Sequence, residues 1–164
     1  LATAAAVLKE RGFAHYEISN YARPGCECRH NLSFWKGGDY LGFGPAAASR
    51  LGRLRQTNAP DVAAYSEALA HGEPPPRRRE TLSPLQDAGE RLAFGLRLLG
   101  GFDPAPLLRR RPAAAEPFRA AVRELVADGL AERASARVRL TARGRALADR
   151  ASARILEAIS PECA

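Results

Sequence analysis

Residues 16–35 read YEISNYARPGCECRHNLSFW, and this stretch decides how the rest of the chain is interpreted. Its beginning predicts a β-strand over residues 13–18, because side chains alternate there and aromatic residues favour a pleated surface. The pair Pro24-Gly25 then predicts an irregular loop. A strand that ends in a polar, aromatic-rich loop is a common place for functional residues in α/β enzymes. We therefore expect the functional residues in this region.

Cys26, Cys28 and His30 are spaced by two residues within the predicted loop. If the loop is locally extended, all three side chains project from the same face. Two thiols and an imidazole are ligands that suit zinc, copper or haem iron. The spacing differs from the Cys-x-x-Cys-His attachment signature of c-type haem. Metal ligation by this set and a solvated loop with inert cysteines are both open interpretations.

The composition indicates a folded chain of one domain or two small ones. The chain has 164 residues and 46% hydrophobic residues, which is enough for a packed core. The net charge of +7 comes almost wholly from arginine, and basic residues outnumber acidic ones in both halves. A nucleic-acid-binding protein usually concentrates its positive charge on one face, so nucleic acid is not the expected partner.

Other features of the sequence concern its location and completeness. No apolar run approaches the length that spans a bilayer, and no signal peptide is recognisable. Three cysteines are an odd number for a disulfide framework, which favours a reducing cytoplasm. The chain opens on Leu1 and contains no methionine, so we expect it to be a piece of a longer protein.

The pattern along the chain predicts two parts joined by a spacer. An alanine-rich helix over residues 2–11 leads directly into the strand, which is half of a βαβ repeat. Residues 46–51 and 53–57 predict a hairpin, and a helix follows over 61–70. Residues 72–80 combine three prolines with three arginines and predict an extended spacer between domains. The predicted parts are therefore residues 1–71 and 81–164.

The second part predicts a mainly helical, winged-helix-like domain. Ser83-Pro84 marks the start of one helix, and Phe118, Val122 and Leu125 mark the buried face of another. Residues 137–140 alternate as a strand, and Thr141 is a candidate N-cap for one last helix. The buried face of that helix would use Leu147, Ala151, Ile155 and Ile159.

Four segments carry a resemblance to a known family: residues 16–19, the Pro24-Gly25 turn, residues 30–35 and residues 40–44. Together they resemble HemW-like haem chaperones, which are radical S-adenosylmethionine proteins similar to oxygen-independent coproporphyrinogen III oxidase. The resemblance covers most of the chain but only the C-terminal part of the family. It implies that residues 1–71 supply the last elements of a partial barrel, followed by a helical accessory domain.

The resemblance also implies candidate binding residues. Residues 30–35 are similar to a His-Asn-x-x-Tyr-Trp motif that is associated with haem, in which His30 is the candidate iron ligand. Cys28 is a weaker candidate ligand. The candidate cofactor-binding residues are His30, Asn31, Trp35, Glu17, Gly42 and Gly44. A structural alternative is open for each: a hydrogen-bonded loop, a core aromatic ring, a structural carboxylate or an ordinary turn glycine.

The chain departs from the family pattern in two places. Phe34 replaces a tyrosine and loses its hydroxyl, and alanines, Ala48 among them, stand where many relatives have a histidine. The Cys-x-x-x-Cys-x-x-Cys run that holds a [4Fe–4S] cluster is absent from the sequence. Cys26, Cys28 and Cys163 are wrongly spaced to replace it. The cluster and S-adenosylmethionine would therefore be held mainly by a missing N-terminal half, and this chain alone could not cleave S-adenosylmethionine.

Three functions are compatible with these patterns. The first is haem binding and delivery to an unidentified acceptor protein, with the missing barrel half as a further partner. The alternative is the oxidative decarboxylation of coproporphyrinogen III. The third is nucleic-acid binding by residues 81–164, with the helix over 116–128 in a groove and Arg137 and Arg139 on the wing. Acidic residues on that helix argue against the third function.

Overall fold

The computed structural model of the chain describes residues 2–161 and shows a mixed α/β arrangement of helices and small antiparallel sheets. The N-terminal half contains α1 (Ala2–Glu10), β1 (Ala14–Glu17), β2 (Asn20–Ala22), α2 (Arg29–Trp35), β3 (Ala48–Leu51), β4 (Leu54–Asn58), α3 (Val62–Ala70) and β5 (Arg77–Thr81). The C-terminal half contains α4 (Pro84–Gly95), α5 (Ala105–Arg110), a 3₁₀ turn (Pro112–Ala114), α6 (Ala115–Ala127), β6 (Ala131–Ala134), β7 (Arg137–Leu140), α7 (Ala142–Ala146) and α8 (Ala148–Ile159). No helix in the described part is long and apolar enough to cross a bilayer.

The strand predicted from alternation is present as β1, which forms an antiparallel hairpin with β2. His15 lies opposite Tyr21, and the two rings stack with their centroids 4.1 Å apart. The pairing register shifts between His15 and Glu17. Such an irregularity changes the direction of a side chain, and Glu17 is fully buried.

The segment predicted to be an irregular loop contains the helix α2. Cys28 adopts an extended N-cap conformation without a side-chain cap, and residues 29–35 are helical. A helix of seven residues is marginal on its own. Phe34 and Trp35 pack against Phe94 of α4, with ring centroids 5.2 and 5.9 Å apart. This packing explains why the helix forms, and the prediction that the segment is irregular is wrong over residues 29–35.

The predicted hairpin is confirmed and belongs to a larger sheet. β3 and β4 pair in antiparallel fashion around Gly52, whose φ of 57° lies in the left-handed region. β5 adds to the free edge of β4, so the strand order is β3-β4-β5.

β5 overlaps the segment 72–80, for which composition predicts a solvated spacer. The segment is extended, but its C-terminal part is hydrogen-bonded to β4, with Arg78 opposite Thr57 and Glu80 opposite Arg55. Charged side chains on an edge strand stay in water and discourage further strand pairing. The run of arginines therefore suits an edge strand as well as a linker.

The main core lies in the C-terminal half, where α4, α6 and α8 pack together. Leu92, Phe118 and Ile155 come from the three helices and are almost completely buried. The predicted start of α4 is confirmed: Ser83 is the N-cap and forms a capping box with Gln86. The β6–β7 hairpin closes one side of this core.

The last predicted helix is divided in two. Thr141 is the N-cap of α7, as expected, and accepts a hydrogen bond from Gly144 N. The chain leaves helical geometry at Leu147, where φ is −120° and ψ is 30°. α7 is held to Leu130, whose carbonyl accepts from Thr141 N, while α8 packs on α4 and α6. Leu147 is 37% exposed, so its predicted burial is wrong, whereas Ala151, Ile155 and Ile159 are buried.

Contacts connect the two halves directly. Glu17 and Leu98 form an isolated antiparallel bridge, which joins β1 to the residues that follow α4. Arg50 on β3 forms a buried ion pair with Asp87 on α4. These contacts place the N-terminal hairpin and the three-stranded sheet against the same helix.

Candidate functional site

The short helix α2 presents the histidine and asparagine of the motif at its first turn. His30 is exposed and Asn31 is partly buried. None of the described residues forms a hydrogen bond, ion pair or ring contact with the His30 side chain. A ring without protein partners keeps both nitrogens available to an external ligand or metal.

The other two histidines have partners. His15 Nε2 lies 3.1 Å from the carbonyl of Ile18, and its ring stacks on Tyr21. His71 Nδ1 lies 2.9 Å from the carbonyl of Glu67. Among the three histidines, His30 is therefore the one whose ring is not engaged by the described residues.

The two aromatic residues of the motif belong to a cluster of rings. Phe34 stacks on Phe94 and lies 5.0 Å, between centroids, from the tilted ring of Tyr40. Trp35 contacts Phe34 edge-on with a centroid distance of 4.8 Å. Both rings are partly buried. The cluster attaches α2 to α4, which is the structural role left open by the sequence.

Glu17 lies next to this cluster as a buried carboxylate. Its Oε1 accepts from Ser19 N at 2.8 Å and from the side-chain amide of Asn20. Its Oε2 is buried without a hydrogen-bond partner, and Arg97 Nε is 4.0 Å away. One carboxylate oxygen therefore has hydrogen-bond donors within its own hairpin, whereas the other has none and lies near Arg97.

Arg97 joins Glu17 to Trp35, and nothing in the sequence pattern singled it out. Its guanidinium carbon lies 4.5 Å from the centroid of the Trp35 ring, in cation–π geometry. It also donates to Asp149 at 2.9 Å. Arg97 lies just beyond α4 and gave no periodic or motif signal, because its partners are distant in the chain. Trp35 and Glu17 lie about 60 to 80 residues before it, and Asp149 lies more than 50 residues after it.

The two candidate glycines have backbone groups that are already bonded within the protein. Gly42 N donates to Ser49 Oγ at 2.9 Å, and Gly44 N donates to the hydroxyl of Tyr65 at 3.0 Å. A Cβ at Gly42 would lie 2.2 Å from the carbonyl oxygen of Ala48. Close packing on the protein's own backbone therefore requires Gly42, and contact of either glycine with a cofactor stays a prediction.

Two further residues near the hairpin have structural partners. Arg55 Nη1 donates to Glu90 at 2.5 Å, and Arg55 Nε donates to Glu80. The hydrogen bond with Glu80 raises the pKa of Arg55, and the same bond lowers the pKa of the Glu80 carboxyl. Asn58 donates to the carbonyl of Gly44 at 2.9 Å. Ala48, one of the departures from the family pattern, is an exposed residue of β3.

A cavity of about 470 Å³ lies between α2, α4 and the segment 98–110. Trp35, Leu98, Phe102 and Leu107 contribute apolar lining. The sequence did not predict this cavity, because its walls come from distant parts of the chain. Cationic side chains also line it. The lining cations are Lys36, Arg91, Arg110 and Arg137.

The C-terminal half matches a known domain. Residues 82–147 match the model of the HemN C-terminal domain. This part of the chain is therefore similar to that domain. The match covers α4 to α7 and includes the residues that form most of the core.

The wider chain is similar to HemW and related proteins. It is 42% identical over 142 residues to the haem chaperone HemW of Mycobacterium tuberculosis, covering 87% of this chain and 35% of that protein. It is 45% identical over 101 residues to HemW of Synechocystis, covering 58% and 24%. A mitochondrial radical S-adenosyl methionine domain-containing protein of Bos taurus is 44% identical over 103 residues, covering 56% and 23%. The chain spans about a third of the HemW length, at 35%.

The fold also resembles a solved structure of this group. The HemN coproporphyrinogen III oxidase of Escherichia coli, described as a radical SAM enzyme, superposes with a TM-score of 0.66. The superposition covers 94% of this chain and 39% of that chain, at 20% sequence identity. At this identity the similarity shows the fold alone.

The described residues of this HemW-like chain do not fit an iron–sulfur cluster. Cys26 and Cys28 are free and exposed, and residue 163 lies outside the described residues. Within residues 2–161 no group of three or more His, Cys, Asp or Glu side chains is arranged to hold a metal ion. Ligation by Cys28 stays a prediction, whereas a single exposed imidazole at His30 fits haem iron, which can accept one axial histidine.

Proposed function

We propose that this chain is the haem-contacting C-terminal portion of a HemW-like protein. The proposal rests on the similarity to haem chaperones and on one observation: the His30 ring is exposed and has no partner among the described residues. A histidine held by hydrogen bonds would have to break them before it could bind iron. His30 has no such cost.

In this proposal each residue of the motif has a distinct role. His30 holds the haem iron through a ring nitrogen, which requires the neutral imidazole. Asn31 contacts the bound group from the same turn of α2, and Trp35 anchors the helix to α4. Phe34 lacks the hydroxyl of the related tyrosine, so it contributes packing on Phe94 without a hydrogen bond. Haem would be the cargo that an acceptor protein receives.

Glu17, Gly42 and Gly44 belong to the proposed cofactor side of the site. In this interpretation residues 1–71 complete a partial barrel whose remaining part holds the [4Fe–4S] cluster and S-adenosylmethionine. Residues 81–164 form the winged-helix-like accessory domain, and 72–80 connect the two. Oε2 of the Glu17 carboxylate is buried without a hydrogen-bond partner among the described residues, and in this proposal the cofactor held with the remaining part of the barrel supplies the donor.

Exposure of His30 suits delivery as well as binding. An iron ligand on the surface of a short helix is reached by an acceptor protein without opening the core. The acceptor can therefore displace His30 by offering its own ligand while haem stays partly covered. The proposed location of this exchange is the cytoplasm.

The test is a haem titration of the full chain and of the full-length parent protein. We expect the Soret band to shift on binding, and we expect His30→Ala to abolish the shift and to weaken binding. His71→Ala is the matched control, because His71 is also exposed but its ring is bonded to Glu67. An unchanged Soret band and affinity in His30→Ala would show that another residue is the ligand.

Coproporphyrinogen III oxidation is the alternative, supported by the fold shared with HemN. The two functions differ in product. Reconstituted full-length protein that converts coproporphyrinogen III to protoporphyrinogen would favour the oxidase. Haem transfer without this conversion would favour the chaperone.

A further inference from the structure

The cavity beside Trp35 is lined by apolar side chains, here called the floor, and by cationic side chains, here called the rim. Its floor includes Leu92 and Leu98, which are buried, together with Phe102 and Leu107, which are partly buried. Its volume of about 470 Å³ falls within the range of small-molecule sites. A ligand that fills it must therefore present an apolar body.

The cations at the rim exceed what the protein itself neutralises. Within the described residues, no carboxylate lies within ion-pair distance of Lys36, Arg110 or Arg137. Arg137 donates weakly to the carbonyls of Gly100 and Gly101. The acidic lining residue, Asp103, is engaged by Ala105 N at 2.9 Å. The rim therefore offers several charge-assisted donors to an anion.

Arg91 shows how the rim is held in place. Its Nε donates to Asp87 at 2.8 Å and its Nη1 donates to the carbonyl of Gly37 at 2.5 Å. These bonds fix the guanidinium at the mouth between α2 and α4. A fixed guanidinium binds a carboxylate with less loss of conformational freedom than a mobile side chain.

The indole of Trp35 supplies an independent sign of a missing partner. Its Nε1 is buried and has no acceptor within the described residues. A buried indole N–H usually finds a hydrogen-bond partner. Since Trp35 lines the cavity, a bound molecule would lie beside a ring whose N–H has no acceptor among the described residues.

The shape of the cavity depends on a close contact at its base. Phe102 packs directly on Gly95, where a Cβ would lie 2.6 Å from the ring. The segment that follows is held to the hairpin, because Phe102 forms a two-way backbone bridge with Val138. The floor is therefore built on backbone contacts and not on loose side chains.

We propose that this cavity binds a ring-containing carboxylate, with its apolar body on the floor and its carboxylates at Arg110, Arg137 and Lys36. Two sources have this chemistry, a porphyrin with acidic side groups and a free aromatic acid. The porphyrin source rests on the function proposed above, whereas the aromatic acid does not. In either case the site is separate from the His30 ring, which does not line this cavity.

The experiment uses the full chain, metal-free protoporphyrin IX and naphthalene-2,6-dicarboxylate, each compared with its dimethyl ester. Trp35 is the single tryptophan, so its indole N–H gives one resolved NMR cross-peak that reports on the cavity. We expect an acid to move this cross-peak and its ester to bind more weakly, with affinity measured by calorimetry. The acid that binds identifies the source.

The variant is Arg110→Gln/Arg137→Gln, and the matched control is Arg78→Gln/Arg79→Gln on exposed positions of β5. Because the first variant loses charge-assisted hydrogen bonds, we expect it to bind the acid about tenfold more weakly. The control should bind the acid as tightly as the parent chain does. Equal weakening in both variants, equal binding of acid and ester, or an unmoved indole cross-peak would overturn the proposal. The metal-free porphyrin offers no iron to the His30 ring, so a failure of this test is distinguishable from a failure of the haem-ligation test.

Discussion

The guanidinium of Arg50 on β3 donates a hydrogen bond to the carboxylate of Asp87 on α4, and both side chains are buried. Arg50 also donates to Glu90 at 3.3 Å, and Asp87 accepts from Arg91 at 2.8 Å. These four residues and Arg55 form a network that joins the three-stranded sheet to the helix. The network explains how a strand from the N-terminal half is held against the core of the C-terminal half.

Removing the central cation should destabilise the fold strongly. We expect Arg50→Met to lower the free energy of unfolding by about 1–3 kcal/mol, because the buried Asp87 carboxylate would lose one of its two cationic partners and keep only Arg91. Urea denaturation followed by circular dichroism measures the change. A loss well below this range would mean that water reaches the network and compensates Asp87.

Two controls separate charge from packing. Arg50→Met/Asp87→Leu should recover part of the stability lost in Arg50→Met, because it removes both charges at once. Arg123→Gln breaks an exposed pair with Glu116 on α6 and should leave the unfolding midpoint unchanged. Failure of the double variant to recover any stability would contradict the charge argument.

Glu17 should prove structural in the isolated chain. Glu17→Leu leaves Ser19 N and the Asn20 amide without their acceptor, so we expect a loss of about 1–3 kcal/mol. Glu17→Gln keeps an oxygen at the same place and should cost less. Thermal or urea unfolding of the two variants tests this order, and equal stability of the leucine variant and the parent would refute it.

Gly42 should tolerate no side chain. We expect Gly42→Ala to destabilise the hairpin, because its Cβ would meet the Ala48 carbonyl oxygen at 2.2 Å. Gly100→Ala is the matched control, since nothing lies within 4 Å of the added Cβ. Hydrogen exchange of the β3–β4 amides measures the local effect. Similar protection in both alanine variants would count against the backbone contact.

The pair of Asp128 and Arg154 should confer a pH dependence on the contact between α6 and α8. Arg154 Nη1 donates to Asp128 Oδ2 at 2.6 Å, and this hydrogen bond lowers the pKa of the Asp128 carboxyl. A lowered folded-state pKa means that the stabilisation is present above the unfolded value of about 3.9 and is lost as the pH falls through the folded value. Carboxyl NMR titration should show the pKa of Asp128 rising in Arg154→Gln. An unchanged titration would show that the pair does not persist in solution.

The local signals in the sequence predicted most of the elements correctly. Ser83 and Thr141 cap helices because their side chains bond backbone groups only three residues away. The β3–β4 hairpin follows from alternation around Gly52, and α6 follows from the spacing of its apolar residues. Each of these features depends on neighbours in the chain, which a sequence displays directly.

The features that the sequence did not predict depend on residues that are far apart in the chain. α2 is stabilised by Phe94, which lies about 60 residues further on. β5 is a strand because β4 offers it an edge, and its run of arginines gives no alternating apolar signal. The final helix breaks at Leu147 because α7 and α8 pack on different partners. The candidate site shows the same division: the resemblance to the family indicated His30, Trp35 and Glu17, whereas no sequence pattern indicated Arg97 or the basic cavity.

By itself the sequence determined the hairpins, the capped helices and the HemW-like motif, because each is encoded by residues close together in the chain. Only the tertiary structure decided that the His30 ring has no partner among residues 2–161, that Trp35 contacts Arg97, and that Arg50 pairs with Asp87. The physical reason is that burial and charge pairing are properties of surfaces brought together by folding. Linear spacing does not record which surfaces meet.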